Sequence, residues 1–482
     1  MSNVSSATSI SLWTQWLNAV NTLRPCCTRT RTFLWLVVVL AAMTARTDLA
    51  GVTSFVRSHW LKGKCHDSLR KFFHGSGLKL DVLTTLWIKL CLQLFANHMV
   101  EVNGRKVLIA DGLKIPKEGK KMPAVKSLHQ ESQSNSKSEY IMGHSCQCLS
   151  LLIKGEMKFF AVPLVSRIHE GIVLSNRWRR TLLDKLVSMM REHCALIQYY
   201  LVSDAYYASK KVAKPLLEDG QHLLVRMRSN TVGYEPAKTP SATKRPRGRP
   251  KTYGKKHRMK HLFKSAKMID APSPVYGERG VILRYRSLCL LWRPLGREVL
   301  FVLVEHPTRG RMILMCTDVE LPPLEAIRLY GLRFKIEVGF KQAIHTLGTY
   351  AYRFWMMDMK PQKRGCGDQH LHRETDDYRR LVLNKIEAYH RHIQLGLIAQ
   401  GLLQYFSVAC PAQVWNAFGG WLKTMRKNQE PSEAVVAQAL SKHLPDFLNN
   451  LSNVDSFKKF IAEKLEPTRC PENMESLHKL AA

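Results

Sequence analysis

Two runs of strand-forming residues, each closed by an aspartate, constrain this chain more than any other feature. Val107-Leu108-Ile109-Ala110 precedes Asp111, and Tyr199-Tyr200-Leu201-Val202-Ser203 precedes Asp204. Short runs this apolar belong to buried strands. A carboxylate beside a buried strand is costly unless a cation or hydrogen bonds compensate it. Taken singly, each aspartate is most simply a turn or cap residue after a strand. Two of them on adjacent strands would make a metal site.

The surrounding pattern supplies the rest of a mixed α/β sheet. After Asp111 come the apolar runs CLSLLI (148–153) and FFAVPLV (159–165). An amphipathic stretch from Asn176 to Cys194 follows, with Trp178, Leu182, Leu186 and Met189 or Met190 three or four apart. The run ending at Asp204 leads to a short helix over Lys210 to Glu218 and a further strand, HLLVRM (222–227). The order β-β-β-α-β-α-β allows a meander and then parallel returns. Beyond it, three runs over 281–318 read as antiparallel strands, with turns at Pro294-Leu295-Gly296 and Pro307-Thr308-Arg309-Gly310. They form a β insertion. Pro322-Pro323 then opens a helix expected from Leu324 to Leu347.

The two ends of the chain read as helical. Residues 1 to about 100 carry Trp13, Trp16, Leu17 and Val20 at helical spacing, and later Leu83, Leu86, Leu90 and Leu94. Arg57, Lys62, Lys64, Arg70 and Lys71 lie between, which suits a DNA-reading domain. Gly365 to Asp377 is a polar loop, and helices resume from Leu381. Phe33 to Ala45 is apolar but only 13 residues long, short of the roughly 20 that span a bilayer. A buried helix is expected there.

Charge narrows the partner. Of 482 residues, 73 are Lys or Arg and 38 are Asp or Glu, a formal +35. Such an excess calls for a polyanion, and nucleic acid is the commonest. A membrane surface would instead favour one basic amphipathic helix or a tail, whereas this excess runs through most of the chain. Lys238 to Lys264 is its densest part, with 11 Lys or Arg and no acid, and is expected to be an exposed loop or disordered arm. Within it, Arg247-Gly248-Arg249-Pro250 has the form of an AT-hook for the minor groove. A nonspecific phosphate-binding loop explains the same charges. The 12 cysteines are scattered rather than spaced as a disulfide framework, which fits a reducing cytoplasm. His144, Cys146 and Cys148, and separately Cys366, His370 and His372, fall short of a four-ligand zinc site.

On the helix after Pro323, Tyr330, Arg333, Glu337 and Lys341 fall in one narrow sector. A solvated face with ion pairing between Glu337 and its neighbours would look the same. Together with the two aspartates, however, this layout resembles the insertion-sequence DDE transposases, nearest their IS-four-like branch. The resemblance covers about residues 106 to 350, and its best marker is Tyr330-Gly-Leu-Arg333-Phe-Lys-Ile-Glu337. In that family a Lys follows seven residues after the Glu. Here that position is Ile344, and Lys341 or His345 could supply the charge. The family also places a Gly two residues after the second Asp, where this chain has Tyr206.

The resemblance implies an RNase H-like catalytic domain with an inserted β subdomain, flanked by helical N- and C-terminal regions. Boundaries are expected at 1–100 (DNA-binding), 101–230 (first part of the core), 231–318 (basic arm and β insertion), 319–350 (Glu helix) and 351–482 (C-terminal helices). It implies two Mg²⁺ ions, replaceable by Mn²⁺, held by Asp111, Asp204 and Glu337, with Asp111 bridging both. Arg333 would grip a phosphate bidentately, Tyr330 would hydrogen-bond one, and Trp292 would stack on a flipped base or sit in the core. The implied partners are the element's terminal inverted repeats, target DNA and a second copy of the chain, in a nucleoid-associated cytoplasmic setting without a membrane. A nuclease without strand transfer and an inactive DNA-binding descendant are the rivals.

Overall fold

The computed structural model describes every residue except 1, 47, 131–137, 178–179, 238–250, 265–266, 424, 452–454, 472–473, 475–476 and 478–482. Its strands are β1 (Glu101–Val102), β2 (Arg105–Pro116), β3 (Lys126–His129), β4 (Tyr140–Lys154), β5 (Phe159–Ile168), β6 (Ile172–Val173), β7 (Tyr199–Ser203), β8 (His222–Met227), β9 (Val232–Pro236), β10 (Tyr253–Arg258), β11 (Ile269–Pro272), β12 (Ile282–Trp292), β13 (Arg297–His306), β14 (Gly310–Cys316) and β15 (Gln369–His370). Its helices are α1 (Ser2–Asn21), α2 (Thr30–Ala45), α3 (Val52–Ser58), α4 (Cys65–His74), α5 (Leu80–Leu94), α6 (Leu182–Cys194), α7 (Lys210–Glu218), α8 (Met259–Leu262), α9 (Pro323–Leu332), α10 (Lys335–His345), α11 (Asp376–Ala409), α12 (Pro411–Phe418), α13 (Glu433–Asn450) and α14 (Ser456–Lys464). The chain is a mixed α/β protein and divides into two compact units. One comprises Met1–Met99, Gly112–Arg179 and Glu337–Ala482, and the other Val100–Asp111 and Arg180–Ile336.

The second unit is built on β2, β7 and β8, which run parallel in that order. Val107 to Ala110, Tyr200 to Val202 and Leu223 to Val225 are all fully buried, as unbroken apolar runs require. β8 then pairs antiparallel with β14, and the sheet continues through β13, β12, β9 and β10. The hairpins expected over 281–318 therefore extend the same sheet instead of packing as a separate layer. α6 begins only at Leu182, where Thr181 and Asp184 form a reciprocal capping box. Trp178 of the expected amphipathic stretch lies outside the described residues.

The first unit holds most of the helices. α2 is buried from Leu34 to Ala45, which accounts for its apolar run. Among the described residues no single helix is long and apolar enough to cross a membrane. Trp13 and Trp87 are fully buried and donate through Nε1 to the carbonyls of Leu440 and Pro163, each at 2.9 Å. β4 pairs antiparallel with β3 and β5. The last residues of β2 lie close to β4, where a Cβ on Gly143 would sit 2.1 Å from the Ile115 carbonyl, so only glycine fits.

Three local expectations are corrected. β2 does not stop at Asp111 but continues to Pro116. Its burial changes there from continuous to alternating with exposed positions, so the apolar run marks the end of cover, not of the strand. The helix expected over Leu324 to Leu347 is two helices, α9 and α10, broken at Arg333 and Phe334. The bonds across the break, Arg333 N to Tyr330 O and Ile336 N to Arg333 O (both 3.1 Å), span three residues, not four. A three-residue repeat turns faster than an α-helix, so the four side chains from Tyr330 to Lys341 do not follow one continuous 3.6-residue face. Finally, the described part of the basic arm is ordered: β10 pairs with β9, and Met259 and Phe263 are buried.

Candidate active site

The parallel pairing does what the sequence could only suggest. β2 and β7 are in register from Lys106 with Tyr199 to Ile109 with Val202. Continued past Ile109, that register sets Asp111 level with Asp204. β7 and β8 are in register up to Ser203 with Val225, and the next step sets Asp204 level with Arg226. Level residues on parallel neighbours point to the same face and lie about 4.8 Å apart along the sheet. Two aspartates and an arginine thus stand level across three adjacent strands, at the C-terminal ends of β7 and β8 and where β2 leaves its buried stretch. Such ends are where open α/β sheets bind ligands. Arg226 was not singled out from sequence. Its signal is a lone charge in the apolar run HLLVRM, but its level with Asp204 depends on strand pairing.

Each aspartate already has a partner. Arg333 Nη1 donates to Asp111 Oδ2 at 2.9 Å, and the two side chains are only 17% and 18% exposed. Asp204 caps the turn that follows β7, its Oδ1 accepting from the Tyr206 amide at 2.9 Å. Tyr330 completes the group. Burial raises its phenol pKa, and the Asp204 charge adds to that rise, while Arg333 and Arg226 oppose it. The Arg333 guanidinium stands 6.0 Å from the Tyr330 ring centre. These five side chains form one electrostatic neighbourhood, two anions facing two cations and a phenol.

Glu337 is exposed in the first turn of α10, where the helix dipole favours a carboxylate. Lys341 and His345 are exposed further along α10, and Ile344 is half-buried. Trp292 is 6% exposed, a core residue as it stands. Arg247 and Arg249 lie outside the described residues. His144 is enclosed, bonded to the Tyr352 hydroxyl (2.7 Å) and the Pro123 carbonyl (2.9 Å), which leaves it to packing. Among the described residues no three His, Cys, Asp or Glu side chains form a ready-made metal cluster. Asp111 and Asp204 nevertheless offer only oxygen donors, the chemistry a hard divalent cation requires.

A family model described as DDE superfamily endonuclease matches residues 22–279, more than half of the 482-residue chain. The match contains Asp111 and Asp204 and ends before Tyr330, Arg333 and Glu337. No curated protein matches the chain. Among solved structures, the cryo-EM structure of a piggyBac transposase synaptic complex with hairpin DNA is similar at a TM-score of 0.36 and 11% identity, over 92% of this chain and 77% of that one.

Proposed function

This chain belongs to the DDE superfamily endonucleases, and from that premise we propose that it is a DNA transposase that cuts and joins the ends of its own element. The observation that carries the reading is the register that sets Asp111 and Asp204 level on adjacent parallel strands, beside Arg333 and Tyr330. The strand order supports an RNase H-like core: an antiparallel meander through β4 and β5, then β7 and β8 parallel to β2. Within that class, the spacing of Tyr330, Arg333 and Glu337 favours the IS-four-like branch.

In this reading Asp111, Asp204 and Glu337 hold two Mg²⁺ ions. When bound, the ions supply charge neutralisation and activation of an oxygen nucleophile for phosphodiester cleavage and strand transfer. The protein's own groups position the DNA. Arg333 exchanges its carboxylate partner for a phosphate, which its planar fork grips through two parallel hydrogen bonds. Tyr330, a phenol whose pKa burial raises further above its ordinary value, donates its hydroxyl to a neighbouring phosphate oxygen. Arg226 adds a second fixed positive charge at the strand ends. The basic helical N-terminus binds the terminal repeats, and two copies of the chain hold the paired ends.

The test is Mg²⁺-dependent cleavage of a duplex carrying the element's ends. Asp204→Ala is expected to abolish cleavage and leave end binding largely intact. Undiminished cleavage by that variant would falsify the reading. Pre-cleaved ends incubated with target plasmid then separate joining from simple hydrolysis: joined products require a transposase, and their absence leaves a nuclease.

A further inference from the structure

Beyond α10 the chain runs extended with a period of two. Tyr352, Phe354 and Met356 are buried, while Arg353, Trp355 and Met357 point outward, with Trp355 60% and Met357 80% exposed. The inward side is fully used: Tyr352 stacks on Tyr389 at 4.7 Å and Phe354 on the same ring at 6.2 Å. The outward side carries two large apolar side chains beside Arg353, against expectation, since an indole left in water forfeits its burial.

The exposed tryptophan is held in place. Met356 N donates to the Lys121 carbonyl, and Lys121 Nζ to the Met357 carbonyl, both at 2.9 Å. Gln362 N donates to the Lys120 carbonyl at 2.7 Å, and Lys117 Nζ to that of Tyr352 at 3.2 Å. Gly119 lets the indole lie down on this segment, because a Cβ there would be 2.8 Å from Trp355 Nε1. Two clefts flank it and share residues 116–119. One, about 410 Å³, is lined by Ile344, Arg353 and Trp355. The other, about 840 Å³, is lined by Lys120, Lys363, Arg364 and Tyr140, a residue 57% exposed. Glu118 is the one carboxylate among the described lining residues.

Flat exposed aromatics alternating with cations, in recessed clefts on a rigid backbone, fit one ligand chemistry: unpaired nucleotides, whose bases stack while their phosphates track the charges. We propose that these paired clefts hold a single-stranded segment of the DNA substrate, bases stacking on Trp355 and Tyr140 and phosphates meeting Lys120, Arg353, Lys363 and Arg364. The assignment rests on the reading that the protein acts on DNA.

Anisotropy with the full-length protein tests it, using a labelled oligothymidylate, a duplex of the same length and, separately, anionic phospholipid vesicles. Trp355→Ala is expected to weaken single-strand binding by on the order of 5- to 100-fold and to leave duplex binding within about twofold, with Trp355→Phe retaining most of the affinity. Gly119→Val, which fills the space under the indole, should reproduce the loss. Arg364→Glu should reduce the dependence of log Kd on log salt by about 0.7. Unchanged single-strand affinity in both Trp355→Ala and Gly119→Val overturns the proposal, as does Trp355-dependent binding to vesicles without binding to the oligonucleotide. A wild-type protein that binds neither form of DNA would instead bring down the DNA reading itself.

Discussion

The parallel strands β2, β7 and β8 meet two carboxylates, Asp318 beside the start of β7 and Asp111 on β2 level with the far end of β7, and the two are treated differently. At the N-terminal end Asp318, just past β14, accepts from the Tyr200 hydroxyl and from the Glu320 amide at 3.0 Å, while Asn103 Nδ2 donates to Tyr200 Oη at 3.2 Å. Its main partners are fixed neutral donors. Burial alone would raise the Asp318 pKa, but these bonds hold it below the usual carboxylate range. At the C-terminal end Asp111 is paired with a guanidinium from a different element, and Arg226 and Tyr330 stand nearby. A carboxylate closed by neutral donors is committed to structure. One balanced by a cation can exchange that cation for another, and the cation can turn to a phosphate. The same set of strands therefore meets an acid closed by neutral donors on one side and an acid paired with a cation on the other.

The largest effect should come from breaking that distinction at Asp111. Asp111→Asn is expected to lower Mg²⁺-dependent cleavage on the order of a thousandfold or more, whereas Asp318→Asn keeps it within a few fold. Equal losses in rate assays of the two variants would erase the contrast. Arg333→Lys keeps the charge but loses the fork, and about a 10- to 100-fold drop in cleavage is expected. Full activity would show that charge alone suffices. Asp318→Ala leaves the fully buried Tyr200 hydroxyl without its acceptor, a cost of about 1–3 kcal/mol readable in urea unfolding, with little change in activity per folded molecule. The smallest effect is on pH. Because the folded pKa of Asp318 is lowered, its contribution is present above the unfolded value of about 3.9 and is lost as pH falls through the folded pKa. Urea midpoints followed downward from about pH 6 should fall less steeply in Asp318→Asn than in wild type. Parallel curves would count against the closed, structural role.

Much of the fold was legible. The runs at 107–110, 199–202 and 223–225 are apolar on both faces, and few environments other than a covered strand accept that pattern. The hairpin turns after β12 and β13 were legible because Gly296 and Gly310 adopt positive φ, at 71° each, which glycine tolerates at least cost. The break between α9 and α10 was not. Nothing between Gly331 and Glu337 forbids a helix, and Arg333 is engaged with Asp111, a residue remote in sequence. The expected line from Tyr330 to Lys341 assumed a regular helix that this turn interrupts. Trp355 and Arg226 escaped notice for a related reason. An aromatic in an alternating segment, or a single charge near the end of an apolar run, is unremarkable until the structure shows what it faces.

For the two aspartates that end the apolar runs, sequence alone determined position along the chain and nearness to buried strands, because hydrophobic periodicity is local and reads out directly. It also determined the charge excess of +35, which favours a polyanionic partner. What only the tertiary structure decided is that Asp111 and Asp204 stand level, that Arg226 joins them and that Arg333 is the cation on Asp111. Register between parallel strands and an ion pair between distant elements are set by packing across the fold, and no local pattern encodes them.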